Sequence, residues 1–103
     1  MSKPFIVLLL MSVVLVSTVS TRNWKKGLGG RIRWDHCNHT GSRIKTAPID
    51  GRGSSSEKAR QCGGLCITLH GCMAFTVAGS TCYLERRNGN VLDSGATLCG
   101  LVE

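Results

Sequence analysis

Six cysteines are the residues of this chain whose type and number most clearly indicate a chemistry. An even count in a short exported chain is typical of a disulfide framework, and six cysteines allow 15 pairings that spacing alone does not resolve. Zinc binding is the competing chemistry, since His36, His39 and His70 stand near cysteines. Cys62 and Cys66 lie four residues apart rather than in a Cys-x-x-Cys pair, and exported thiols usually oxidise before they bind a metal. We therefore expect three disulfides and no metal site among Cys37, Cys62, Cys66, Cys72, Cys82 and Cys99.

Other catalytic patterns are missing from the sequence. The serines cluster before a predicted helix, and none of them stands in Gly-x-Ser-x-Gly. Residues 27–30 are glycine-rich, but they lack the lysine and the preceding strand of a phosphate-binding loop. With every cysteine expected in a disulfide, the histidines have no thiolate to activate. We expect a protein that is not an enzyme and that uses no cofactor.

The first twenty residues have the three parts of a secretory signal peptide. A lysine precedes an apolar stretch at residues 5–16, and small residues follow, with Thr18 and Ser20 at the positions that signal peptidase reads. The apolar stretch is about a dozen residues long, whereas a membrane-spanning helix needs about 20. We expect residues 1–20 to be removed, with Thr21 as the second choice of cleavage site and an uncleaved anchor as the alternative. The rest of the chain is then a secreted, extracellular protein of one domain.

Positive charge is concentrated directly after the leader. Residues 21–33 carry five basic and no acidic residues, whereas residues 34–103 carry seven basic and six acidic residues. Three glycines stand in the first segment, which precedes every cysteine, so we expect residues 21–33 to form a flexible basic arm. Lys25 and Lys26 would then meet a sulfated glycan or an anionic membrane surface, unless the arm is only a solvated tail. A third alternative is that the arm is a propeptide, cut after Lys26 or Arg33.

Local patterns predict one helix and several short strands in the rest of the chain. Ser54 and Glu57 form a capping box for a helix over residues 55–70. Two cysteines fall on the apolar face of this helix, and two glycines interrupt it at a cost of about 1 kcal/mol each. Short strands are predicted at residues 42–48, 72–77, 81–85 and 97–102, with a tight turn that makes a hairpin of the middle two.

The cysteines and aromatic residues between Cys62 and Leu84 carry a family signature. The sequence reads Cys62-x3-Cys66-x5-Cys72-Met-Ala-Phe75 and then Thr81-Cys82-Tyr83-Leu84. In this stretch the chain resembles the PAN/apple family, which has a helix with two cysteines, a Cys-x-Ala-Phe strand and a Cys-Tyr-Leu strand in this order. The resemblance implies an α+β domain at residues 34–103, in which a small antiparallel sheet cradles one helix. It also implies three disulfides, namely Cys37–Cys99, Cys62–Cys82 and Cys66–Cys72.

The resembled family uses its fold to bind proteins or carbohydrates. We therefore expect a binding module for an extracellular protein or glycan, with no nucleic-acid partner, and the sequence indicates no oligomeric state. Arg86 and Arg87, in a turn after the second hairpin strand, and Lys58 and Arg60, on the helix, are candidate contacts to an acidic or sulfated ligand. Ordinary solvated charge is the alternative for all four.

Asn38 opens an Asn-x-Thr acceptor for an N-linked glycan. A secreted effector, such as a venom toxin or a cationic host-defence peptide, is the alternative function.

Overall fold

The structure is a computed structural model, and it describes residues 22–87 and 89–103. The predicted signal peptide at residues 1–20 lies outside the described residues. Within the described ranges the chain forms one α-helix and eight strands: β1 (Lys25–Gly27), β2 (Ile32–Asp35), β3 (Cys37–His39), β4 (Arg43–Pro48), α1 (Ser55–Thr68), β5 (Ala74–Ala78), β6 (Thr81–Glu85), β7 (Val91–Asp93) and β8 (Leu98–Val102). The predicted α+β class is confirmed. The described residues include no helix of the length and apolarity that a membrane span requires.

Six of the strands form one antiparallel sheet in the order β1-β2-β8-β5-β6-β4, and β3 pairs with β7 in a second, two-stranded sheet. Side chains alternate between the faces of a strand, so Phe75 and Val77 of β5 face α1 in the hydrophobic core, while Thr76 faces the other way. Cys99 lies opposite Thr76 in the register of β8 and is bonded to Cys37 of β3. The small sheet therefore packs on the face opposite the helix.

The helix begins where the sequence predicts and ends two residues before the predicted end at residue 70. The Ser54 hydroxyl accepts a hydrogen bond from the Glu57 backbone N–H at 3.2 Å, which is the predicted N-cap. The chain leaves the helix after Thr68, because Leu69 adopts extended dihedrals. Gly63, which was expected to destabilise the helix, is buried against β2. A Cβ at this position would lie 2.7 Å from Ile32 Cδ1, so the glycine permits the close approach of helix and sheet.

Three disulfides tie these layers together. The pairs are Cys37–Cys99, Cys62–Cys82 and Cys66–Cys72, the same three that the family resemblance implies. The second pair joins the buried face of α1 to β6, and the third joins the last turn of α1 to the loop that leads into β5. Crosslinks of this density are compatible with export to an oxidising compartment.

The predicted flexible arm at residues 21–33 is wrong for residues 22–33, which are the described part of it. Lys25–Gly27 and Ile32–Asp35 are two antiparallel strands of the main sheet, and β2 pairs along its length with β8. The glycines that suggested disorder build the turn between them, where Gly29 and Gly30 take the positive φ values that favour glycine. Ile32 is fully buried in the core. The domain therefore begins before Trp34, and cleavage after Arg33 would split β2.

Candidate functional site

All six strands of the main sheet have an end at the same side of the molecule. Because neighbours run antiparallel, β2, β5 and β4 begin where β1, β8 and β6 end. Backbone hydrogen bonds join these ends in a row: Met73 N–H donates to Glu85 O at 3.0 Å, Val102 N–H to Met73 O at 2.9 Å, Glu103 N–H to Arg31 O at 2.8 Å, and Arg86 N–H to Ser42 O at 2.9 Å. The residues at this side are therefore held by the sheet.

Cationic side chains occupy this row of strand ends. They come from four separate segments, and all but Arg33, which is half-buried, are exposed. With adjacent strands about 4.8 Å apart, the row from β1 to β4 is about 24 Å long. We call this set the basic edge: Lys26, Arg31, Arg33, Arg43, Arg86 and Arg87.

Several of these cations are held in place by the protein. Arg87 donates to the carbonyl of Val102, and Arg31 Nε donates to the Leu28 carbonyl at 3.2 Å. The Arg43 guanidinium stacks on the Tyr83 ring at 4.2 Å from its centroid. A guanidinium that is already ordered loses less side-chain entropy when a ligand binds.

Few negative charges oppose the basic edge. The Glu103 carboxylate lies 3.1 Å from Arg33 Nε and is exposed, so it offsets part of one charge. Glu85 ends β6 at this side but is only 5 % exposed. Its burial raises the pKa of the Glu85 carboxyl, against the opposing effects of a hydrogen bond from Thr76 and the charge of Arg43. The edge therefore presents a net positive surface to an incoming anion.

The structure brings together only part of the residues predicted from the sequence. Arg86 and Arg87 lie in the basic edge, and Lys26 joins it because it pairs across the strands with Arg33. Lys58 and Arg60 stand in the first half of α1, which begins at the opposite end of the sheet, and Arg60 is paired with Glu57.

Lys25 does not belong to the basic edge, because a carboxylate already holds it. Its ammonium lies 3.3 Å from Asp35 and 5.2 Å from the centre of the Trp34 ring. Partial burial opposes ionisation of Asp35, but the His36 backbone N–H, Lys25 and Arg22 outweigh it and lower the pKa of Asp35. Lys25 and Asp35 therefore form a charge-compensated pair.

Comparison with known proteins gives no family for this chain. No protein-family model matches it, and a search among curated proteins finds no similar sequence. The site is therefore interpreted from its geometry and chemistry alone.

Sequence reasoning missed three members of the basic edge. Arg31 and Arg33 alternate with the buried residues Ile32 and Trp34, a period-two pattern that indicates a strand and could have placed both arginines on a folded surface. Arg43 had no comparable signal, because its proximity to the others depends on how β4 pairs with β6.

Two further predictions concern glycosylation and metals. Asn38 is exposed between the buried residues Cys37 and His39 of β3, so its side chain points away from the main sheet. Across residues 22–87 and 89–103, no group of three or more potential metal ligands lies close enough to hold an ion.

Proposed function

We propose that this protein is a secreted binding module, built like a PAN/apple domain, that recognises an anionic extracellular glycan through its basic edge. The observation that carries the proposal is the row of six cations, drawn from four segments of the chain and fixed at the strand ends of one disulfide-linked sheet. A row about 24 Å long suits an extended ligand that bears several charges, rather than a single small anion.

The composition of the row favours sulfate groups. Five of its six cations are arginines, whose planar guanidinium presents paired donors to an oxyanion. Lys26 and Arg33 stand directly opposite each other on β1 and β2, and like charges in this position destabilise a sheet unless an anion offsets them. Glu103 offsets Arg33 in part, and a sulfated chain lying along the edge would compensate the remaining charge.

A lipid surface fits the same edge less well. Large hydrophobic side chains that are exposed among the described residues are Leu65, Met73 and Leu92, and only Met73 lies among these strand ends. One methionine gives little apolar area to insert into a bilayer. A charged, hydrated polymer is therefore the better partner.

Removing two arginines from the basic edge is expected to weaken binding to heparin, used as a probe for sulfated glycans. Each exposed ion pair contributes up to about 1 kcal/mol, so the double variant R86Q/R87Q should bind about tenfold more weakly at about 0.15 M salt. The measurement is the NaCl concentration that elutes each protein from immobilised heparin. The variant R86K/R87K keeps the charge but loses the paired donors of the guanidinium groups. It should elute between R86Q/R87Q and the natural protein.

The matched control removes the same charge from the other end of the sheet. The variant K58Q/R60Q should elute with the natural protein, because these residues lie outside the basic edge. If both double variants elute equally early, the protein responds to net charge alone and the edge has no special role. Retention by phosphatidylserine vesicles without retention by heparin would also overturn the proposal. Far-UV circular dichroism checks that each variant remains folded.

We also propose that Asn38 carries an N-linked glycan in the secreted protein. Its exposed side chain leaves room for a sugar outside the fold. Mass spectrometry of the secreted protein before and after enzymatic deglycosylation tests this. An unmodified Asn38 peptide from a glycosylating host would contradict it.

A further inference from the structure

A pocket of about 470 Å³ opens on the sheet face opposite the helix. β5 and β6 contribute its floor, β3 and the turn after it form one side, and Arg43 of β4 stands at another. Its volume lies in the range of small-ligand pockets, about 300–1,000 Å³. Of the residues of the basic edge, Arg43 alone lines it. The pocket is therefore a second feature, which meets the basic edge only at Arg43.

Three polar side chains are buried in its wall. Thr76, His39 and Glu85 are each no more than 5 % exposed. The Thr76 hydroxyl donates to Glu85 Oε1 at 2.8 Å, and the Gly41 N–H donates to His39 Nδ1 at 3.1 Å. Burying polar groups in a small domain is costly, so a cluster of this kind at a pocket is a candidate ligand site.

The cluster carries little charge at its base. Because Nδ1 of His39 accepts the Gly41 hydrogen bond, the proton of the neutral ring is on Nε2. Burial, helped by the charge of Arg87, lowers the pKa of His39. Glu85 Oε1 lies 3.6 Å from the unprotonated Nδ1, and burial raises the pKa of Glu85. Both side chains therefore favour their neutral forms, and they do not form an ion pair.

An aromatic ring completes the pocket. Tyr83 is half-buried beside Glu85 on β6, since both point to the face away from the helix. Arg43 stacks on the Tyr83 ring and stands directly opposite Glu85 in the strand register. A guanidinium at the mouth disfavours a cationic ligand, and the wall below it offers uncharged hydrogen-bonding groups rather than a counter-charge for a buried anion. The pocket suits a neutral ligand that both donates and accepts hydrogen bonds.

We infer that this pocket binds a neutral sugar ring, with Thr76, Glu85 and His39 contacting its hydroxyls and Tyr83 packing against its apolar face. Vicinal hydroxyls donate to a carboxyl oxygen or to the Thr76 hydroxyl oxygen, and they accept from a phenol O–H, a guanidinium or an imidazole N–H, and all of these groups line the pocket. An aromatic ring supplies apolar contact area while leaving a polar tip for hydrogen bonding. This site shares only Arg43 with the basic edge, so variants at Arg86 and Arg87 test the edge without altering the lining of the pocket.

The neutral character of the cluster has a stability consequence that can be measured. A carboxyl with a raised folded pKa contributes stability below its ordinary pKa of 4.5, and this contribution is lost as the pH rises through the folded value. The variant Glu85→Gln removes that loss and keeps an acceptor for the Thr76 hydroxyl. It should melt a few degrees above the natural protein near about pH 8, with the difference disappearing near about pH 3.5. His39, Arg43 and Tyr83 lie beside Glu85, and Arg87 acts on His39, in both proteins, so their own effects largely cancel in the comparison.

A lower melting temperature for Glu85→Gln at about pH 8 would mean that Glu85 is ionised in a favourable pair with His39. The neutral cluster, and with it the argument for an uncharged ligand, would then be wrong.

The direct test is a titration of the ¹⁵N-labelled protein with D-galactose, D-mannose and N-acetyl-D-glucosamine, each added alone and followed by NMR. At least one of these sugars should cause saturable shifts in the backbone amides of Thr76, Tyr83 and Gly41. The variants Thr76→Val and Tyr83→Leu should each weaken this binding at least tenfold, and either one suffices if the other fails to fold. The variant R86Q/R87Q should bind the sugar as tightly as the natural protein does. Absence of saturable shifts with all three sugars, or unchanged binding in a folded pocket variant, would overturn the inference.

Discussion

Replacing Cys37 and Cys99 together by alanine is expected to lower the free energy of unfolding by about 4 kcal/mol. This disulfide closes a sequence separation of 62 residues, the longest of the three, and in the chain-entropy model a longer loop restricts the unfolded chain more. Domains of this size have a total stability of about 5–10 kcal/mol, so the variant should be close to unfolded at 37 °C. Urea unfolding followed by far-UV circular dichroism measures the change.

The matched control for this prediction is the shortest loop. The bond between Cys66 and Cys72 closes a separation of 6 residues, and its replacement by two alanines should cost about 2 kcal/mol. An equal or larger loss in this control would show that the crosslinks act mainly through strain or packing. The account of the long bond as the main restraint on the unfolded chain would then be wrong.

The variant Ile32→Ala is expected to lose about 3–4 kcal/mol of stability, because its side chain is fully buried between β2 and the helix. Leu92 is 51 % exposed, and the control Leu92→Ala should cost less than about 1 kcal/mol. Both values come from the same urea experiment. An Ile32→Ala variant as stable as the natural protein would mean that residues 22–33 are a flexible arm after all.

The helix and the hairpin could be predicted from the sequence because their signals are local. Ser54 caps the helix within one turn, and Gly79 lies in the short turn between β5 and β6. The cysteine spacing of the same stretch carries the family resemblance. These signals each involve residues that are close together along the chain, so they can be recognised without knowledge of the fold.

The first two strands could not be recognised in the same way. Their pairing depends on β8, which lies more than sixty residues further along the chain, and three glycines and a high charge obscured the alternation around Ile32. A short segment in which half of the residues are polar has the composition of a disordered segment when its partner strand is unknown. Strands β3 and β7 have three residues each, which is too short for any alternation to be seen.

The candidate site shows the same division between local and distant information. Arg86 and Arg87 were identified because they follow a predicted strand. Their position at the same end of the sheet as Arg31, and that of Lys58 at the other end, became known only from the strand order of the structure. The pocket was not predicted, because His39 and Thr76 come from strands of different sheets.

The most direct test of glycan recognition is to map where a sulfated ligand contacts the protein. A heparin hexasaccharide added to the ¹⁵N-labelled protein should shift the backbone amides of Arg31, Arg33, Arg86 and Arg87, and leave those of Lys58 and Arg60 unchanged. Shifts centred on the helix, or spread evenly over all basic residues, would contradict a binding surface at the strand ends.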